Sequence, residues 1–127
     1  RKGQPAEDIL FEMQSRVILE LAQMGPCIIV GRCADAVLRS AGIPAVSLFI
    51  CAPFEDRVKR RMEIEGIGQK ESEDAVRKID KQRKKYYDTY TGRNWGAPEN
   101  YDFCINSSVM GIEGTAEQII TWARGTW

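Results

Sequence analysis

The sequence predicts a mixed α/β fold, a parallel sheet with helices on both faces. Three observations lead there. Residues 27–30 and 45–51 are short, almost wholly apolar runs, too brief for helices and apolar on both faces as strands covered on two sides must be, and residues 101–105 read as a third strand. Between them lie longer stretches whose apolar residues recur at helical spacing. Gly or Pro stands beside each of the first two runs. Strand, helix and strand in alternation give parallel neighbours, and ligands then gather at the carboxyl ends of the strands. A chain of 127 residues is expected to form one domain, residues 1–127.

In chain order, residues 1–6 are polar and hold Gly3 and Pro5, which reads as a loop, and Glu7 with Asp8 favours a helix N-terminus. Leu10, Met13, Val17, Leu21 and Met24 then form a helical stripe with Phe11, Gln14 and Ile18 beside it, and Gly25-Pro26 ends the helix. The first strand, 27–30, runs into Gly31; residues 35–40 make a turn or two of helix before Gly42 and Pro44. The second strand, 45–51, closes at Pro53, after which Glu55 and Asp56 open a cationic helix. Gly66 and Gly68 interrupt it, and a new helix begins near Glu71, carrying Ala75, Val76, Ile79, Gln82, Arg83, Tyr86 and Tyr87. Residues 91–100 are a loop, 101–105 the third strand, Asn106-Ser107-Ser108 a turn, and 114–122 a final amphipathic helix.

Composition narrows the function. The chain is formally neutral, yet residues 56–93 carry twelve basic against eight acidic side chains, so positive charge is concentrated there. A neutral total argues against a protein that coats nucleic acid. No apolar run approaches a membrane span and no leader is evident, so the expected compartment is the cytoplasm, with no membrane partner. Cys27, Cys33, Cys51 and Cys104 form no CxxC pair and the chain has no histidine, so metal and redox spacings are both missing. The chain opens on Arg1 rather than methionine, which leads us to expect further sequence upstream.

Several side chains fit phosphate chemistry. Arg32 leaves a strand end directly after a glycine, where its fork would meet a phosphate in the crevice. Arg57 and Arg61 lie one helical turn apart with Arg60 beside them, a crowd of guanidiniums that an anion would relieve. Arg77, Asp80 and Arg83 share one face of the next helix, where Asp80 and Arg83 could equally be a simple ion pair. Tyr86, Tyr87, Tyr90 and Trp95 could stack on a base but suit a core better. Asn106 and Ser107, after the last strand, could offer amide and hydroxyl contacts to a base or form only a turn. No GxxxxGK[ST] phosphate loop occurs in these residues.

Taken together, VGRCAD from Val30, APFEDRVKRRM from Ala52, DKQR from Asp80 and NSSVMGIE from Asn106 resemble, in order, four elements of the cytidylate kinases. The runs GPCIIVGRCAD and YYDTYTGRNWG resemble the cytidylate kinase-like branch in particular. Cys33 and Asn106 stand where the kinases proper have aspartate, and Arg77 is three rather than four positions before Asp80. The resemblance implies a P-loop kinase-like sheet whose first strand and phosphate loop lie upstream of Arg1. It implies transfer of the ATP γ-phosphate to a pyrimidine nucleoside monophosphate, CMP first among them, with ATP and magnesium as cofactors. Arg32 would hold the acceptor phosphate, Asp80 and Arg83 with Arg77 the cytidine nucleotide, and Asn106 and Ser107 a base. Arg57, Arg60 and Arg61 would act on the transferring phosphates, by position and charge rather than covalent chemistry. The alternative is a nucleotide-binding or regulatory domain of the same origin without catalysis.

Overall fold

Two strands pair in parallel, β1 (Leu48–Cys51) and β2 (Phe103–Asn106), with Leu48 opposite Phe103 and Cys51 opposite Asn106. The computed structural model describes residues 5–126. The helices are α1 (Pro5–Met24), α2 (Ala34–Ser40), α3 (Phe54–Glu65), α4 (Gln69–Thr91) and α5 (Ser107–Thr126), with a 3-10 turn at Pro98–Asn100. The mixed α/β class and the parallel pairing are as the sequence predicts.

The first of the three predicted strands is a correction. Residues 27–30 pair with no other strand, and Ile28 and Val30 are 95% and 87% exposed. An apolar run becomes a strand only when a neighbour takes its N–H and C=O groups, and no described residue does so here. The other two strands are shorter than their apolar runs. The predicted loop at 1–6 is also revised: Pro5 and Ala6 are helical, Pro5 having a fixed φ suited to a first turn, while residues 1–4 lie outside the described residues. Of the predicted turn, Asn106 ends β2, and Ser107-Ser108 join the helix at 114–122 in α5, which is broken into two helical pieces at Gly111, whose φ of 77° and ψ of 172° leave the helical region.

The residues group into two compact units, Arg1–Ser47 with Lys81–Asp102 and Leu48–Asp80 with Phe103–Trp127. In the first, Ile18 packs with Ala34, Val37 and Leu38, and Phe11, Leu19, Ala22, Ile29 and Ile43 lie against them. Helix α1 has the period the sequence predicts, but Leu10, Met13, Val17, Leu21 and Met24 are exposed and the flanking Phe11 and Ile18 turn inward. Asp102 fastens this unit's chain ends, accepting from Ser47 N–H at 2.8 Å and Ser47 Oγ at 3.2 Å. In the second unit, Ser72 Oγ is fully buried and donates to the Val58 carbonyl at 2.8 Å, tying α4 to α3. Phe103 of β2 meets Trp122 of α5 edge to face at 4.3 Å.

Helix α3 ends where the glycines predict. Gly66 has φ 66° and its N–H donates to Met62 O at 2.8 Å, the left-handed cap that glycine adopts without steric cost. A Cβ there would meet nothing within 4 Å, so the cost of Gly66→Ala is conformational alone. We expect it to lower stability by about 1 kcal/mol, read as a fall in the urea midpoint with an unchanged slope.

Candidate functional site

In the first unit the chain turns at Gly31-Arg32-Cys33, and all three residues have positive φ, 72°, 57° and 57°. Glycine reaches that region freely, but two successive side-chain-bearing residues there are uncommon and strained. The turn is closed by Ala34 N–H on Gly31 O at 3.2 Å and Val37 N–H on Cys33 O at 2.9 Å, which start α2. Cys33 points inward and is buried, whereas Arg32 points out. Burial, helped by the Asp35 carboxylate and opposed by Arg32, pushes the Cys33 thiol up to about 11. It is therefore a protonated core thiol at neutral pH and no nucleophile.

This gives a pH prediction. The folded thiol holds its proton above the ordinary value of 9.0, so between about 9 and about 11 the unfolded chain loses a proton that the folded chain keeps. Stability should fall as pH rises through that window, and less steeply in Cys33→Ala. Native labelling with iodoacetamide at pH 8 should modify Cys27, Cys51 and Cys104, which are exposed, well before Cys33, as peptide mass spectrometry would record.

The Arg32 guanidinium carbon lies 5.5 Å from the centre of the Tyr86 ring. Among the described residues Arg32 makes no ion pair. Asp35, its nearest candidate in the sequence, instead accepts from Tyr87 Oη at 2.7 Å and lies 3.7 Å from Arg39. The same contact, after burial, holds the Tyr87 hydroxyl well above its usual range. Tyr86 donates to Gln14 Oε1 at 3.1 Å, and Tyr90 to Asp8 Oδ1 at 2.7 Å. Phe11 stacks on Tyr90 at 4.4 Å and meets Tyr86 edge to face at 6.2 Å. These tyrosines thus do the core work that their spacing suggests. Arg83, also in this unit, is exposed and without an ion-pair partner among the described residues.

The other site residues fall in the second unit, where Arg57, Arg77 and Asp80 gather at Phe54. Arg57 donates through Nε to Ala52 O at 3.0 Å and through one terminal nitrogen to both Asp80 oxygens, at 2.8 and 3.0 Å. Asp80 is therefore paired with Arg57 of α3, not with Arg83 one turn along its own helix. Arg77 stacks on the Phe54 ring at 4.8 Å and lies 3.9 Å from Asp74. Arg61 Nε sits 2.7 Å from Glu65 Oε2, a close electrostatic pair without an aligned hydrogen bond. Internal carboxylates thus relieve two of the three crowded arginines, and Arg60 projects outward without one among the described residues.

At the end of β2, Asn106 Oδ1 accepts from Ser108 N–H at 2.9 Å, the geometry of a helix cap, and Ser107 Oγ donates to Cys51 O at 3.3 Å. Both therefore have structural work at the start of α5. Among the described residues no three Cys, Asp or Glu side chains converge as metal ligands. No described helix is long and apolar enough to cross a membrane. A hollow of about 400 Å³ in the first unit lies by Ser47 and Asp102, which precede the strands, and Arg39 and Arg93 on its wall both donate to Asn100.

The model of the cytidylate kinase-like family matches residues 2–109, a span that takes in the Arg32 turn, both cationic helices and the cap at Asn106. The chain belongs to the cytidylate kinase-like family. Its fold is similar to the crystal structure of an uncharacterized protein from Eubacterium ventriosum ATCC 27560, at TM-score 0.79 and 30% identity. That likeness covers 96% of this chain and 66% of the other, so this cytidylate kinase-like chain spans about two thirds of that relative. Among curated proteins none matches it.

Sequence reasoning missed two features of this family member. One is the Arg57–Asp80 pair, because residues 23 apart on two helices meet only through packing. The other is Tyr86 beside Arg32, which helical spacing alone assigns to the core.

Proposed function

We propose that the intact protein transfers the ATP γ-phosphate to a pyrimidine nucleoside monophosphate, CMP first. A nucleotide kinase-like activity is what the family suggests. The observation that carries the finer reading is Arg32, a strained residue that follows Gly31 and pairs with no carboxylate among the described residues. A strained, outward arginine with its fork open is suited to an anion that binds and leaves, and a phosphate takes two parallel N–H donors from it. Arg60 and Arg61 supply further positive charge for oxygens that become more negative during transfer. Asp80, oriented by Arg57, can accept from the exocyclic amine of cytosine, and Arg83 and Arg77 add charge for the same nucleotide. Asn106 and Ser107 are proposed for a base through groups that their capping bonds leave over. ATP would bring magnesium with it as its counter-ion.

Calorimetric titration of CMP, UMP, AMP, GMP and unphosphorylated cytidine into the protein tests the acceptor half of this reading. CMP should bind most tightly and cytidine at least about tenfold more weakly, because the phosphate contact is charge-assisted. Equal affinity for CMP and cytidine would overturn it.

A further inference from the structure

We propose that Tyr86 is a positioning residue that holds the Arg32 guanidinium over its ring so that donors of the fork stay open toward an acceptor phosphate. The inference rests on the reading of Arg32 as the phosphate-binding arginine. Its own support is geometric. An arginine held by a carboxylate loses the paired N–H groups that a phosphate needs, whereas one resting against an aromatic residue keeps most of its N–H groups available. Arg32 takes the second arrangement: it sits 5.5 Å from the Tyr86 ring centre and makes no ion pair among the described residues. The nearest carboxylate along the turn is diverted, since Asp35 accepts from Tyr87 Oη at 2.7 Å and faces Arg39.

The ring itself is fixed from three sides. Its hydroxyl donates to Gln14 Oε1 at 3.1 Å, Tyr90 lies 5.0 Å away and Phe11 6.2 Å away, and Phe11 and Tyr90 stack on each other at 4.4 Å. Arg32 is in turn restrained at its backbone, because it lies between two other residues of positive φ and cannot swing without undoing the start of α2. A pinned backbone and a pinned ring leave the guanidinium few arrangements before ligand arrives, and that lowers the ordering cost of binding. Burial raises the Tyr86 hydroxyl, and Arg32 opposes that rise through its charge and a side-chain hydrogen bond, which places the guanidinium against this residue.

The test compares Tyr86→Phe, Tyr86→Leu, Arg32→Ala and the double variant Arg32→Ala with Tyr86→Leu, by titration of CMP and of cytidine. Tyr86→Leu should weaken CMP about three- to tenfold, leave cytidine unchanged, and be rescued by Tyr86→Phe to within about twofold of wild type, because the ring face is kept. In the double variant the loss should equal that of Arg32→Ala alone, since Tyr86 acts only through Arg32. A residue that merely fills the core would weaken both ligands and add its loss to that of Arg32→Ala, which overturns the proposal. If Arg32→Ala weakens CMP and Tyr86→Leu does not, the Tyr86 inference falls and the acceptor reading stands; if Arg32→Ala has no effect, the acceptor reading itself falls, and this inference with it. Should Tyr86→Leu fail to fold, NMR of the wild type decides: Arg32 side-chain protons shifted upfield by the ring sustain the proposal, and unshifted protons overturn it.

Discussion

Arg32→Ala is expected to weaken CMP, UMP and every other monophosphate by a similar factor, about tenfold to about a hundredfold, and to leave cytidine untouched. The size follows from one charge-assisted contact, about 1.5 to 3 kcal/mol, and the uniformity from the phosphate that all these ligands share. Arg32 has φ 57°, so a second substitution separates fold from function. Arg32→Gly relieves backbone strain and should keep stability close to wild type while binding as poorly as Arg32→Ala. Calorimetry and thermal melting on the two variants read both effects. A selective loss of CMP alone would mean that Arg32 reads the base.

The second large effect is expected at Asp80. Its carboxylate accepts from Arg57 through both oxygens, and the pair is about a third exposed, so its direct worth to stability is small, below about 1 kcal/mol. The proposed role in recognition predicts a larger effect. A carboxylate can accept from the amine at position 4 of cytosine but finds only an acceptor at the same position of uracil. Asp80→Asn offers either group, so the preference for CMP over UMP should fall about tenfold or more. Arg57→Ala removes the group that orients Asp80 and should reduce the same preference without removing the carboxylate. An unchanged preference in Asp80→Asn would leave Asp80 as half of an ion pair between two helices and nothing more.

What could be read from the sequence was local. The break between α3 and α4 was visible because Gly66 and Gly68 act on their own stretch of backbone, and the structure ends α3 at Glu65 and begins α4 at Gln69. The parallel pair was visible because the strand-like runs at 45–51 and 101–105 are separated by residues with helical spacing. The strand at 27–30 was not decidable, since an apolar run does not say whether a partner lies beside it. Nor was the inward face of α1: Phe11 and Ile18 lie beside Leu10, Met13 and Val17, and helical period gives spacing but not which of two adjacent apolar stripes is covered. For the site, Arg32 could be singled out by its place after Gly31. Its left-handed backbone could not, because neither arginine nor cysteine advertises positive φ.

The most direct test of the whole account is transfer of labelled γ-phosphate from ATP to CMP by the intact protein, with wild type and Arg32→Ala run in parallel and the products separated. The account predicts labelled CDP from wild type, faster than any labelled product from UMP, AMP or GMP, and a marked loss in Arg32→Ala. Tight CMP binding with no labelled CDP, or equal yields from wild type and Arg32→Ala, would contradict it.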